Sequence, residues 1–304
     1  MRPRILITDR IHQTAIERGK EFADIDMELD LTHEELIERI RGYDALIVRS
    51  GTKVTKDVIE NADRLKIIGR AGVGLDNIDL KAAEEKGIKV VNSPEASTIS
   101  VAELFFGSLI AFMRKIIEAD ISMRKGRWDR NRFQGSELYG KTLGIIGFGR
   151  IGREVALRAR AFGMNIVVFD PHITEEDTKE YNCKSMELDE LLRNSDIITL
   201  HIPLTDKTRN MIDRDRLRLM KNCAVIVNMA RGGIVNEKDL YDALKDGQIK
   251  GAILDVYEKE PQINSQFISL KNVVLTPHIG ALTEEAQVSA GMVVIEKIRN
   301  FFMR

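Results

Sequence analysis

Short apolar runs punctuate the chain, and the segments between them carry apolar residues at helical spacing. The runs predict strands at Arg4–Asp9, Ala45–Arg49, Leu65–Gly69 and Lys89–Asn92. A second set follows at Thr142–Gly147, Asn165–Asp170, Ile197–His201, Ala224–Asn228, Ala252–Val256 and Asn272–Thr276. Most runs are continuous rather than alternating, as in strands covered on both faces. The intervening stretches include THEELIERI, in which Thr32 and Glu35 have the spacing of a capping box. Strands alternating with helices predict parallel sheets flanked by helices. Ten strands would make an unusually wide open sheet, so two sheets are expected, divided near Ser97. The stretch that follows, SVAELFFGSLIAFMRKIIEADISMRKG, reads as one long helix with Leu104, Phe105, Leu109, Phe112, Ile116 and Ile117 on its apolar face. A final helix is expected from about Glu284.

The strongest local motif lies in KTLGIIGFGRIGREVALRARAFGMNIVVFD. Gly147, Gly149 and Gly152 fit G-x-G-x-x-G between a strand and a helix. Gly147 allows a tight turn, Gly149 lets a pyrophosphate approach the backbone, and Gly152 lets helix and strand pack closely. The helix N-terminus offers free N–H groups and partial positive charge to phosphates. The second strand ends at Asp170, 18 residues past Gly152. A carboxylate there accepts hydrogen bonds from ribose hydroxyls and repels a 2′-phosphate, which favours NAD over NADP.

In a doubly wound sheet, ligands sit beyond the carboxyl ends of the strands. The residues following the later strands are therefore candidates. They include His201 and Pro203, then Met229, Ala230, Arg231, Gly232 and Gly233, then Asp255, Glu258 and Glu260, and finally His278. This set suits hydride transfer at a carbinol carbon. Histidine carries a proton near neutral pH, a carboxylate beside it supports the charged ring, and arginine grips a carboxylate. The chain has five histidines, and each taken alone is more often structural than catalytic. His201 has surroundings that suggest packing against the cofactor. Only His278 follows the last strand, and convergence with Arg231 and Glu260 singles it out.

Composition narrows the classes further. The 304 residues carry 46 basic and 47 acidic side chains, so nothing global points to nucleic acid or an anionic membrane. One local basic cluster, Met123 to Phe133, reads as a solvated loop, a small-anion site or a subunit contact. Two cysteines, Cys183 and Cys223, form no disulfide framework or metal pattern and suggest a reducing compartment. No stretch approaches the length of a membrane span and the N-terminus reads as a strand, so a cytoplasmic location is expected.

NMARGGIV, GAILDVYEKEP and LTPHIG, together with GFGRIG and VFD, resemble the D-2-hydroxyacid dehydrogenase family. LIVRSGTKVTKDVI, LKIIGRAGVGLDNIDL and VVNSPEASTISVAEL resemble its phosphoglycerate dehydrogenase branch. The resemblance runs over nearly the whole chain with the motif order intact. It implies an α/β protein of two Rossmann-like or flavodoxin-like domains. A discontinuous substrate (lid) domain, 1–98 plus 284–304, would enclose an NAD-binding domain, 99–283. It implies His278 as general acid/base, Glu260 as its partner and Arg231 as the substrate grip. Asp255 would hold the nicotinamide carboxamide. Further cofactor contacts are implied at Val73, Arg150, Ile151, His201, Ile202, Pro203, Met229, Ala230 and Gly280. The Val73–Gly74 backbone would meet the substrate carboxylate, and Arg49 and Arg70 its phosphate end. Arg132 would reach a neighbouring subunit in a homodimer or homotetramer.

The implied reaction is oxidation of 3-phosphoglycerate to 3-phosphohydroxypyruvate with NAD, the entry to serine synthesis. The alternative within the family is a glyoxylate or hydroxypyruvate reductase. A reading from another class is a non-catalytic NAD-sensing binding protein. Three departures from the family pattern matter. The chain stops at Arg304, so the serine-binding regulatory domain of longer members is not expected. Glu95 and Ser97 stand where many relatives carry a neutral residue and an asparagine. Asn236 stands where aspartate is common, at a position that reads as a helix cap.

Overall fold

The computed structural model describes residues 2–261 and 265–303. The chain divides into two compact units, one of residues 1–100 and 281–304, the other of residues 101–280.

The first unit carries β1 (Arg4–Ile7), β2 (Asp24–Met27), β3 (Ala45–Val48), β4 (Ile67–Arg70) and β5 (Lys89–Asn92) in one parallel sheet of order β2-β1-β3-β4-β5. That is the flavodoxin-like order. β3 is apolar and buried along its length, and β1 is so from Ile5 to Ile7, because helices cover both faces. One face packs on Leu36, Ile40, Val58 and Ile59. The other packs on the helix Glu284–Phe302, which buries Val294, Ile295 and Ile298. Gly69 permits this, since a Cβ there would run into Val294 and Ile298. Thr283 caps that helix by accepting the Ala286 N–H.

The second unit carries β6 (Thr142–Ile146), β7 (Asn165–Phe169), β8 (Lys184–Ser185), β9 (Ile197–Leu200), β10 (Val225–Asn228), β11 (Gly251–Leu254) and β12 (Val273–Leu275). They form a parallel sheet of order β12-β11-β10-β9-β6-β7-β8, in which the strand sequence reverses between β6 and β9. This is the doubly wound dinucleotide-binding order with one strand added.

The observed elements depart from the sequence reading in two ways. β2 and β8 were not among the ten expected strands. Both lie at sheet edges, and their sequences, DIDM and KS, carry too little apolar surface to register. The expected long helix is two helices, Thr98–Met113 and Ile116–Arg124. Lys115 between them has φ of 53°, and the Met113 carbonyl accepts the Ser136 N–H at 2.9 Å. The break turns the second helix off the apolar line. Phe105, Leu109 and Met113 are buried, whereas Ile116 and Ile117 are exposed.

Candidate active site

The strand reversal places two loops side by side. After β6 the chain turns at Gly147, with φ of 95°. A Cβ there would lie 2.6 Å from the His201 carbonyl oxygen at the end of β9, so only glycine fits. The Gly147 N–H donates to the Phe169 carbonyl at 2.8 Å. The Phe148 N–H donates to Asp170 Oδ2 at 2.8 Å, and Arg153 Nε donates to the Phe148 carbonyl at 3.1 Å. Both backbone groups between the first two glycines are thus fixed. Gly149 caps the helix Arg150–Ala161 with no side-chain hydrogen bond, and the space a Cβ would take there is open. Gly152 abuts the Gly147 carbonyl and tolerates no side chain. The open Gly149 cradle and the helix start without a side-chain cap fit a pyrophosphate. Arg150 is exposed, whereas Ile151 packs into the apolar core and offers the cradle its backbone N–H. Asp170 Oδ1 accepts the His172 N–H at 2.9 Å, so the acid closes the turn after β7 as well as the glycine loop.

Beyond β9, His201 Nε2 lies 3.0 Å from Thr199 Oγ1. Its Nδ1 is buried and has no hydrogen-bond partner among the described residues. Burial pushes the His201 pKa down to about 3, so the ring is neutral at physiological pH. An orphaned ring nitrogen beside the glycine loop fits a polar cofactor group. Ile202 is half-buried, and the Pro203 carbonyl accepts Thr208 Oγ1 at 2.7 Å.

After β10, Asn228 organises the arginine loop. Its Oδ1 accepts the Ala230 N–H at 3.1 Å and its Nδ2 donates to the Arg231 carbonyl at 2.9 Å. Arg231 Nη1 donates to the Ala230 carbonyl at 2.7 Å. Met229 is buried beneath. Gly232 passes so close to the Tyr257 carbonyl that no side chain fits.

After β11, Asp255 is almost fully buried, and its carboxylate holds the loop after β12. Thr276 Oγ1 and the Ile279 N–H donate to Oδ1 at 2.6 and 2.8 Å, and the Gly280 N–H donates to Oδ2 at 2.9 Å. That loop carries His278, whose φ of 55° is the left-handed region few side chains adopt. The neighbouring bonds hold this strained residue, a pattern found at functional sites. His278 Nδ1 lies 2.7 Å from Glu260 Oε2. A carboxylate there fixes the proton on Nδ1 and leaves Nε2 to exchange one with a ligand. Glu260 is itself held, because its Oε1 accepts the Tyr257 N–H at 3.0 Å. The Tyr257 hydroxyl donates to the Thr276 carbonyl at 3.0 Å. Burial and the carboxylates of Asp255, Glu237 and Glu260 push that phenol up to about 12.

The second unit therefore brings together the expected Arg231, Asp255, Glu260, His278 and Gly280 on consecutive strand ends. It also shows supporting residues that sequence reasoning missed. Asn228 is a polar residue closing an apolar strand, which was a readable signal. Tyr257 and Glu237 carried none.

The other candidates lie in the first unit. Asp9 Oδ2 accepts the Arg49 N–H at 2.5 Å and the Thr52 N–H at 3.1 Å. Burial lowers the Arg49 pKa, opposed by the Asp9 charge. Asn77 Nδ2 donates to the carbonyls of Arg49 and Thr52, each at 2.6 Å. Arg70 ends β4, and its guanidinium fills the space beside Gly72, whose φ is 149°. Asn92 Nδ2 donates to the Val73 carbonyl at 2.6 Å and fixes the Val73–Gly74 turn. Arg132 Nη1 lies 3.5 Å from Asp129.

Among the described residues no group of three or more His, Cys, Asp or Glu is placed to hold a metal ion. Among the described residues no helix is long and apolar enough to cross a membrane.

Residues 106–280 match the family described as D-isomer specific 2-hydroxyacid dehydrogenase, NAD binding domain. The chain is 54% identical to D-3-phosphoglycerate dehydrogenase of Methanocaldococcus jannaschii over 97% of its own length. It spans 57% of that relative's length, and similar shares of other curated relatives so named. Hydroxypyruvate reductase of Thermotoga maritima is 48% identical, with 98% of this chain and 97% of the relative covered. Among solved structures, D-lactate dehydrogenase of Aquifex aeolicus complexed with NAD and lactic acid superposes with a TM-score of 0.87 at 29% identity, covering 98% of this chain and 95% of that one.

Proposed function

We propose that this chain, which belongs to the D-isomer specific 2-hydroxyacid dehydrogenases, oxidises 3-phosphoglycerate to 3-phosphohydroxypyruvate with NAD. The observation that carries the enzymatic reading is the His278–Glu260 pair, 2.7 Å apart at the end of the sheet that carries the glycine cradle. Bound NAD would supply a hydride acceptor, held by the Gly147–Gly152 turn, Asp170, His201 to Pro203, Met229, Ala230, Asp255 and Gly280. His278 takes the substrate hydroxyl proton at Nε2, and Glu260 stabilises the imidazolium that results. Arg231 opposes the substrate carboxylate and polarises the forming carbonyl. From the first unit, Arg49, Arg70 and the Val73–Gly74 turn are proposed as substrate contacts, with Val73 also meeting the cofactor.

The phosphorylated substrate is supported by the names of relatives that are 45 to 54% identical over nearly this whole chain. A second reading, reduction of hydroxypyruvate or glyoxylate, is supported by the name of a relative that is 48% identical over 98% of this chain. Steady-state turnover of 3-phosphoglycerate, glycerate, glyoxylate and hydroxypyruvate with both nicotinamide cofactors separates them. Higher kcat/KM for an unphosphorylated acid refutes the phosphate assignment. Cofactor binding with no turnover of any 2-hydroxy or 2-keto acid points instead to a non-catalytic sensor. Assembly as a homodimer or homotetramer completes the proposal.

A further inference from the structure

We propose that Glu237 is a positioning residue that ties the Arg231 loop to the Glu260 turn. The inference rests on the acid/base reading above. The loop after β10 runs from Arg231 into the helix Glu237–Lys245, capped by Asn236, whose Oδ1 accepts the Asp239 N–H at 3.0 Å. Glu237 is the first residue of that helix. Its Oε1 accepts the Glu258 N–H at 2.6 Å, and Glu258 Oε1 accepts the Glu237 N–H at 3.2 Å. Two residues beyond this reciprocal pair, Glu260 meets His278. Gly232 against the Tyr257 carbonyl adds a second tie between the same loops. The cation of one loop and the acid of the other are therefore held in register.

The bonding pattern alone does not call for a charge, because a glutamine oxygen accepts an N–H equally well. A carboxylate at this place is electrostatically unfavourable. Burial first, and then the charges of Glu258 and Glu260, raise the Glu237 pKa. The titratable groups facing it from the turn after β11 are Tyr257, Glu258 and Glu260. The 3₁₀ turn Gln266–Ser269 contributes an uncharged Gln266 Nε2, 3.3 Å from the Glu237 carbonyl. On its own helix Lys238 and Asp239 follow it, and the loop before that helix carries Arg231.

The test compares wild type, Glu237→Gln and Glu237→Ala. Two readouts are taken: kcat and KM on 2-hydroxy and 2-keto acids, and NADH affinity by fluorescence. Glu237→Gln is expected to keep kcat/KM within about threefold, because its amide oxygen still accepts the Glu258 N–H. Glu237→Ala is expected to lower kcat/KM about tenfold or more, with unchanged NADH affinity. Wild-type kcat/KM in Glu237→Ala overturns the tie, and a loss in Glu237→Gln as large as in Glu237→Ala overturns the role of the hydrogen bond. A wild type inactive on every 2-hydroxy and 2-keto acid removes the enzymatic reading, an outcome distinct from both.

Discussion

The buried imidazole of His201 makes a quantitative statement about acid stability. The ring is neutral in the folded chain, with its pKa pushed from 6.5 down to about 3 by burial. An unfolded chain exposes the same ring to water and protonates it near its ordinary value. A group whose proton is bound more weakly in the native state favours the native state above the unfolded pKa, and that benefit is lost as pH falls. The window therefore opens near pH 6.5 and runs down towards pH 3. Each unit of separation corresponds to about 1.4 kcal/mol, so the loss attributable to this one ring is about 2 kcal/mol between pH 7 and pH 5. Many carboxylates titrate lower down, so the ring is isolated by difference. The unfolding free energies of wild type and His201→Gln are compared at pH 7 and pH 5 by urea titration followed by circular dichroism. Wild type is expected to lose about 2 kcal/mol more than the variant over that interval. Histidine NMR of the folded protein gives a direct view, and the His201 ring is expected to stay neutral at pH 5. Equal pH dependence in the two proteins, or a His201 resonance titrating near 6.5, refutes the argument.

Three other predictions concern the site. His278→Ala or Arg231→Ala is expected to lower kcat/KM by at least ~10² with circular dichroism unchanged; near wild-type activity removes these roles. Asp170→Ala is expected to erode the preference for NAD over NADP, because a carboxylate that repels a 2′-phosphate is lost. An unchanged cofactor ratio assigns the preference elsewhere. Gly232→Ala forces a methyl group into the Tyr257 carbonyl, and overpacking of this kind costs roughly 1–3 kcal/mol. The expected result is a lower melting temperature together with lost turnover, and wild-type behaviour in both contradicts the packing.

Much of the architecture was legible because strands buried on both faces advertise themselves. β3, β9 and β10 are buried along their whole length and β1 from Ile5 to Ile7, and each was readable as an apolar run. Edge strands lack that signature. β2 mixes aspartates with apolar residues and β8 is two residues long, so propensity alone could not raise either above a loop. The helix break at Lys115 depends on a tertiary bond, the Ser136 N–H on the Met113 carbonyl, which no local pattern records. The candidate site was legible for a different reason. In a parallel sheet every strand end faces one rim, so listing strand-end residues lists the site. What stayed hidden was support. Asn228 under the arginine loop, Tyr257 across two strand ends and the left-handed backbone of His278 belong to three-dimensional closure and leave no periodic trace.

The helix that returns from Glu284 to Phe302 has a consequence for the order of events during synthesis. Ile5, Ile7, Ile47 and Ile67 precede the second unit in the chain, and their sheet face is closed by Val294, Ile295 and Ile298, which follow it. A nascent chain emerging at about 5–20 residues per second carries that face uncovered while the whole second unit is translated. The continuous second unit can mature before the first, which finishes only after the helix Glu284–Phe302 has been made. An interval of exposed apolar surface is thus built into the connectivity of the first unit, with no reference to its chemistry.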